Sequence, residues 1–145
     1  MNGIFRKTLG LLVVVTLSVT GFSSLAFAGG VVVVHPNNNA EISAADVKFL
    51  FLGKKKKFSG GYPATAINQT FGSAFRKKFD QEMLDKSGPQ MKSYWAKLVF
   101  TGKGSPLMEV SSDEEVIKLI LEDESVIGYI DESEVIDTVK VIFKF

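Results

Sequence analysis

A chain of 145 residues without cysteine has mass for one ordinary domain, no disulfide framework and no thiolate metal site. Its 17 basic and 16 acidic residues nearly cancel to a net charge of +1, which gives no basic surface of the kind nucleic-acid partners select. With His35 as the single histidine, zinc or copper would have to be held almost wholly by carboxylates, so neither a metal nor another cofactor is expected.

The first segment reads as a secretory leader. Arg6 and Lys7 precede the apolar run Leu9 to Thr20, and the small-residue exit Ala26-Phe27-Ala28 leads into Gly29-Gly30. The apolar run is too short for a stable membrane anchor, and small residues close it where an anchor carries aromatic flanks. The pattern predicts cleavage near Ala28, an exported domain over residues 29–145 and a periplasmic location. Loss of Arg6 and Lys7 brings the net charge to about −1.

Val31 to Val34 is an unbroken β-branched run stopped by Pro36 and Asn37-Asn38-Asn39, the pattern of a buried strand running into a loop. His35 falls at its end, near the surface. Ser43 and Asp46 have capping-box spacing, and the helix they open carries Val47, Leu50 and Phe51 on one face before Gly53 stops it. Lys54 to Lys57, followed by Phe58 and Gly60-Gly61, reads as a solvated loop or hairpin arm.

Ala64 to Ile67 predicts a short second strand. Phe71, Phe75, Phe79 and Met83 then recur every four residues, which predicts an aromatic stripe on the core side of a helix. Arg76 falls between stripe positions and reads as a solvated helix-surface residue, with a swing toward the Gly72-Ser73 loop as the lesser alternative. After Ser87-Gly88-Pro89, the set Met91, Tyr94, Trp95 and Leu98 predicts another helix, with Trp95 in the core or on a groove wall.

Thr101 to Pro106 is a loop by composition. Its Gly-Lys-Gly-Ser order lacks the spacing and ending of a phosphate-cradling nucleotide loop, and no apolar strand feeds it. Ser112 and Glu115 predict a second capping box ahead of Val116, Ile117 and Ile120. Ile127 to Ile130 and Val139 to Phe145 are strand candidates, the latter with one wet face or at a sheet edge.

Catalysis finds no support in these residues. His35 lies at a strand end away from any serine-bearing elbow, and Asp113-Glu114-Glu115 is explained by the preference of carboxylates for a helix N-terminus. The chain is therefore not read as an enzyme.

Three stretches carry a resemblance: Leu50-Phe51-Leu52-Gly53-Lys54 after a capped helix, Ala66-Ile67-Asn68-Gln69 leading to Gly72-Ser73, and Val126-Ile127-Gly128-Tyr129-Ile130. In this order and spacing they resemble the periplasmic phosphate-binding proteins of ABC transporters. Val31 to Pro36 is similar to the strand on which those receptors cross into their second lobe, so the resemblance spans nearly all of Val31 to Asp131. It implies an α/β fold: a single small three-layer domain like one lobe of a type 2 periplasmic binding protein, with about four helices around a short mixed sheet. Those receptors have two lobes and close on ligand like a clamp.

In that family the loop after the second strand reads roughly R-S-D-G-S-G-T and wraps the anion at a helix start. The matching stretch here runs from Asn68 to Ala74. The resemblance implies ligand contacts at Asn68, Gln69, Thr70, Gly72 and Ser73, with Asn68 and Thr70 in place of the family's arginine and aspartate. A lost charged hydrogen bond of that kind costs about 1.5–3 kcal/mol, so the implied binding is weak.

The implied function is an exported solute-binding-like protein, resembling the substrate-binding component of a phosphate ABC transporter. It would hold phosphate or another small oxyanion at a helix N-terminus, with a transporter permease or a second subunit as partner. The alternative is an envelope interaction or assembly protein that keeps the lobe fold and has lost the ligand.

Overall fold

The structure, a computed structural model, describes residues 29–145. The secretory leader read from residues 1–28 lies outside the described residues. Five strands form one sheet: β1 (Gly30–Val34), β2 (Thr65–Gln69), β3 (Met108–Val110), β4 (Val126–Asp131) and β5 (Lys140–Lys144). The helices are α1 (Ala44–Phe51), α2 (Ala74–Leu84), α3 (Gly88–Phe100) and α4 (Asp113–Glu122).

The strand order is β3-β2-β4-β1-β5. β2 runs parallel to β3 and β4, while β1 is antiparallel to both β4 and β5. This is the α/β lobe with about four helices around a mixed sheet that the sequence predicts. The chain passes from β2 through α2 and α3 to β3, then returns past β2 through α4 to β4. Right-handed crossovers in opposite directions put their helices on opposite faces of the sheet. The packing agrees.

On one face, Val32, Val34, Ala66, Ile127 and Tyr129 pack under Val47, Leu50 and Phe51 of α1, Phe79 and Leu84 of α2, and Met91 and Trp95 of α3. On the other, Val31, Val33, Ile67, Val126 and Ile130 pack under Val116 and Ile120 of α4. A strand covered on both faces has no wet side, which is why β1 is spelled Val-Val-Val-Val without alternation. Gly128 leaves room for α4: a Cβ there would lie 2.6 Å from Val116 Cγ1.

Helix starts follow the sequence with two exceptions. Ser43 and Asp46 form the expected reciprocal capping box, and Ser87 does the same with Gln90. At α4, Ser112 Oγ accepts from the Glu115 N–H at 3.2 Å, but the Glu115 carboxylate reaches past Ser112 to the Ser111 N–H at 2.9 Å. The box is thus shifted by one residue. At α2, Gly72 adopts φ +87° and Ser73 caps the helix, so Phe71 lies ahead of the helix and outside the core stripe that Phe75 and Phe79 supply.

β3 was not expected. It has three residues, Met108 and Glu109 are exposed, and only Val110 packs inward, so no periodic pattern marks it. β5 is the opposite edge, as its alternation suggests, and its lysines keep that edge wet. Next to it, Gly30 N–H donates to the Phe145 carbonyl at 2.8 Å and Phe145 N–H returns the bond to Gly30 at 2.8 Å. Among the described residues, no helix is long and apolar enough to cross a membrane.

Candidate functional site

β2 and β3 are neighbours whose following helices leave toward opposite faces, and such a reversal opens a crevice at the carboxyl ends of the strands. A cleft of about 560 Å³ lies there. Asn68, Arg76 and Glu109 form its polar end, and Phe71, Trp95, Val99, Phe100 and Leu107 much of its apolar wall, with Lys92 also lining it.

Arg76 is the central charge. It is 2 % exposed, in place of the surface arginine the sequence suggests. Its Nε donates to both Asp80 carboxylate oxygens at 2.9 and 3.0 Å, and Nη1 donates to the Gln69 carbonyl at 2.8 Å. Nη1 is also 3.6 Å from Glu109 Oε1. The Arg76 guanidinium lies 5.9 Å from the Phe71 ring. Burial pushes the Asp80 carboxyl above the usual carboxylate range, against the opposing pull of Arg76.

The loop ahead of α2 already holds a carboxylate. Glu109 Oε2 accepts from the Phe71 N–H at 3.3 Å, placing a carboxylate of the protein's own on a donor that precedes the helix. Because Asn68 and Glu109 are register partners across β2 and β3, strand pairing itself brings the carboxylate to this end of the sheet.

The five residues singled out from the resemblance divide. Asn68 borders the cleft and is buried, its Oδ1 accepting from the Tyr129 hydroxyl at 2.8 Å. The Gln69 side chain serves the sheet instead, donating to the Tyr129 carbonyl at 3.1 Å and to Asp113. Thr70 Oγ1 donates to the Val110 carbonyl at 3.3 Å, and Gly72 supplies the turn. Ser73 Oγ is engaged as the α2 cap, accepting from the Arg76 N–H at 3.1 Å.

Tyr129 ties these groups together. Its hydroxyl donates to Asn68 and accepts from the Gln69 N–H at 3.2 Å, and its ring stacks on Phe79 with centroids 3.8 Å apart. Burial raises the phenol well above its usual range, so the hydroxyl stays protonated and a donor.

Sequence reasoning ranks a surface position above a site position for Arg76 and misses Glu109. The i, i+4 spacing of Arg76 and Asp80 was an available signal for the first, since a pair at that spacing can neutralise a buried guanidinium. Nothing local marks Glu109, which reaches the site through the unexpected strand. Among the described residues, no group of three or more His, Cys, Asp or Glu side chains could hold a metal.

No protein-family model matches the chain, and no curated protein matches it in sequence. Solved structures do match. A candidate phosphate ABC transporter substrate-binding protein from Clostridium perfringens, with bound phosphate, superimposes with a TM-score of 0.61 at 19% identity, over 79% of this chain and 44% of that one. An ABC-type phosphate transport receptor from Vibrio cholerae gives a TM-score of 0.59 at 16% identity, over 79% of this chain and 45% of that one. A candidate phosphate-binding protein from Planctomyces limnophilus gives 0.56 at 17%, over 79% of this chain and 40% of that one. The chain spans less than half the length of each, and at these identities the likeness is one of fold: a single lobe of a periplasmic binding protein.

Proposed function

We propose that this chain is an exported solute-binding-like protein of the phosphate-transport type, in which residues 29–145 make one lobe. It takes a small oxyanion weakly at the start of α2, beside Asn68, Gly72 and Ser73. A transporter component or second subunit closes the other side of the cleft. The observation that carries this reading is Arg76: a buried guanidinium bordering the cleft supplies the charged contact that Asn68 and Thr70 cannot.

Glu109 sets the strength. An incoming oxyanion has to displace its carboxylate from the Phe71 N–H and from beside Arg76, so binding is an exchange of one anion for another. Thermal-shift titration with phosphate and sulfate at low ionic strength tests this, because a ligand of the folded state raises the melting temperature by mass action. A small saturable rise at millimolar anion is expected for the native protein, and a larger one at lower concentration for Glu109→Gln. A flat response from both proteins overturns the reading.

A second reading rests on the cleft's rim. Phe71, Val99 and Phe100 are all exposed, Phe100 by 93 %, and exposed apolar groups clustered at one cleft suit a docking surface. On that reading the lobe serves an envelope assembly and binds no solute. A complex recovered from the envelope by the native protein but not by Phe100→Ser, together with no response to anions, selects it.

A further inference from the structure

The Arg76 cleft is asymmetric. At one end, Asn68 and Glu109 are register partners on β2 and β3, and Glu109 Oε1 lies 3.6 Å from Arg76 Nη1. Away from that end the lining turns apolar. Ala96 and Val99 follow Lys92 on α3 at the spacing of one helix face, and Pro106 and Leu107 on the approach to β3 supply a second wall. At about 1.5 Å of rise per residue, the stretch of α3 from Lys92 to Phe100 carries its wall about 12 Å along the cleft, far more than an inorganic phosphate spans.

The charges fix the sign of the ligand. Arg76, Lys92 and Glu109 line the cleft, two cations against one carboxylate. Asp80, which holds Arg76 through Nε, is 1 % exposed and is not part of the lining. An ammonium head would meet the positive surplus. A neutral apolar ligand would bring nothing to Arg76, and inorganic phosphate would leave Val99 and Phe100 in water. A ligand with a charged head and an apolar body satisfies both ends, which is the usual composition of a small-molecule cleft: mostly apolar walls with a few convergent polar groups.

The geometry points to an amphiphilic oxyanion as the ligand class of this cleft, with its head at Arg76 and an aromatic or branched apolar body along Ala96, Val99 and Phe100. This deepens the oxyanion reading of the same cleft and rests on it. The body supplies what the head lacks. Exchange of one anion for another at Glu109 yields little net affinity, whereas about 55 Å² of apolar surface withdrawn from water gives tenfold tighter binding.

The test is calorimetric titration of the native protein with inorganic phosphate, phenyl phosphate and benzyl alcohol at about pH 8, where both phosphates are mostly dianions. Phenyl phosphate should bind at least about tenfold more tightly than either of the others. The double variant Val99→Ser, Phe100→Ser changes two side chains that are already exposed, so the fold should persist; it should lose the preference for the phenyl group and bind inorganic phosphate as the native protein does. Glu109→Gln should tighten both phosphates and preserve their ratio.

Equal binding of the two phosphates, or a phenyl preference that survives in the double variant, overturns the amphiphilic ligand and leaves the oxyanion reading in place. Benzyl alcohol binding as tightly as phenyl phosphate also overturns it, because the head would then contribute nothing. Absence of binding of both phosphates, by the native protein and by Glu109→Gln alike, overturns the oxyanion reading and this ligand class together.

Discussion

The Tyr129 hydroxyl donates to Asn68 Oδ1 at 2.8 Å while accepting the Gln69 N–H at 3.2 Å, so one side chain of β4 fixes two consecutive residues of β2 at the mouth of the cleft. Tyr129→Phe keeps the ring stack on Phe79 and leaves both buried groups short of a partner. A loss of about 1–3 kcal/mol in urea unfolding is expected, with unchanged secondary structure by circular dichroism.

Asp80 and Arg76 are a buried pair with side-chain exposures of 1 % and 3 %. Asp80→Ala leaves the buried guanidinium with the Gln69 carbonyl and the more distant Glu109 carboxylate, and removal of one member of such a pair destabilises by about 3–5 kcal/mol. The double variant Asp80→Leu, Arg76→Met should recover much of that loss in the same unfolding assay. It should also abolish any response to oxyanions, which separates the pair's structural part from its binding part.

Gly128 has no space for a side chain. A Cβ there falls 2.6 Å from Val116 and 3.3 Å from Ile67, so Gly128→Ala pushes α4 off the sheet. The expected cost is about 1–3 kcal/mol by denaturant titration, and Val116→Ala in the same chain should offset part of it.

Asp46 should shape the acid limb of the stability curve. Its hydrogen bond from Lys55, at 2.5 Å, is the largest cause that holds its carboxyl at about 2 rather than 3.8, followed by hydrogen bonds from Ser43. A depressed carboxylate stabilises the folded state above its unfolded value, and that contribution fades as pH falls from about 4 toward 2. Melting temperatures across that window should drop less steeply for Asp46→Asn, which starts lower at neutral pH.

Much of the lobe was legible because its information is local. The Val31–Val34 run, the Ser43–Asp46 box and the Met91, Tyr94, Trp95, Leu98 spacing each specify an element within a few residues. Glu109 was not legible because its role depends on a parallel pairing with β2 that three residues cannot announce. Phe71 misled for a related reason: its spacing from Phe75 fits a helix, but Gly72 turns the chain before the helix begins. Arg76 shows how burial can override a polar pattern, since Asp80 one turn later neutralises it. The cleft thus came from long-range placement, whereas the core came from periodicity.

The reciprocal bonds between Gly30 and Phe145 determine how the lobe bears mechanical load. β1 and β5 are antiparallel neighbours, so tension applied at these two residues pulls across the strands and opens their ladder one pair at a time. A shear load would instead meet many bonds at once. Stretched from this corner, β5 should peel away at low force while β2, β3 and β4 remain paired, leaving the strands that carry the Arg76 cleft in place.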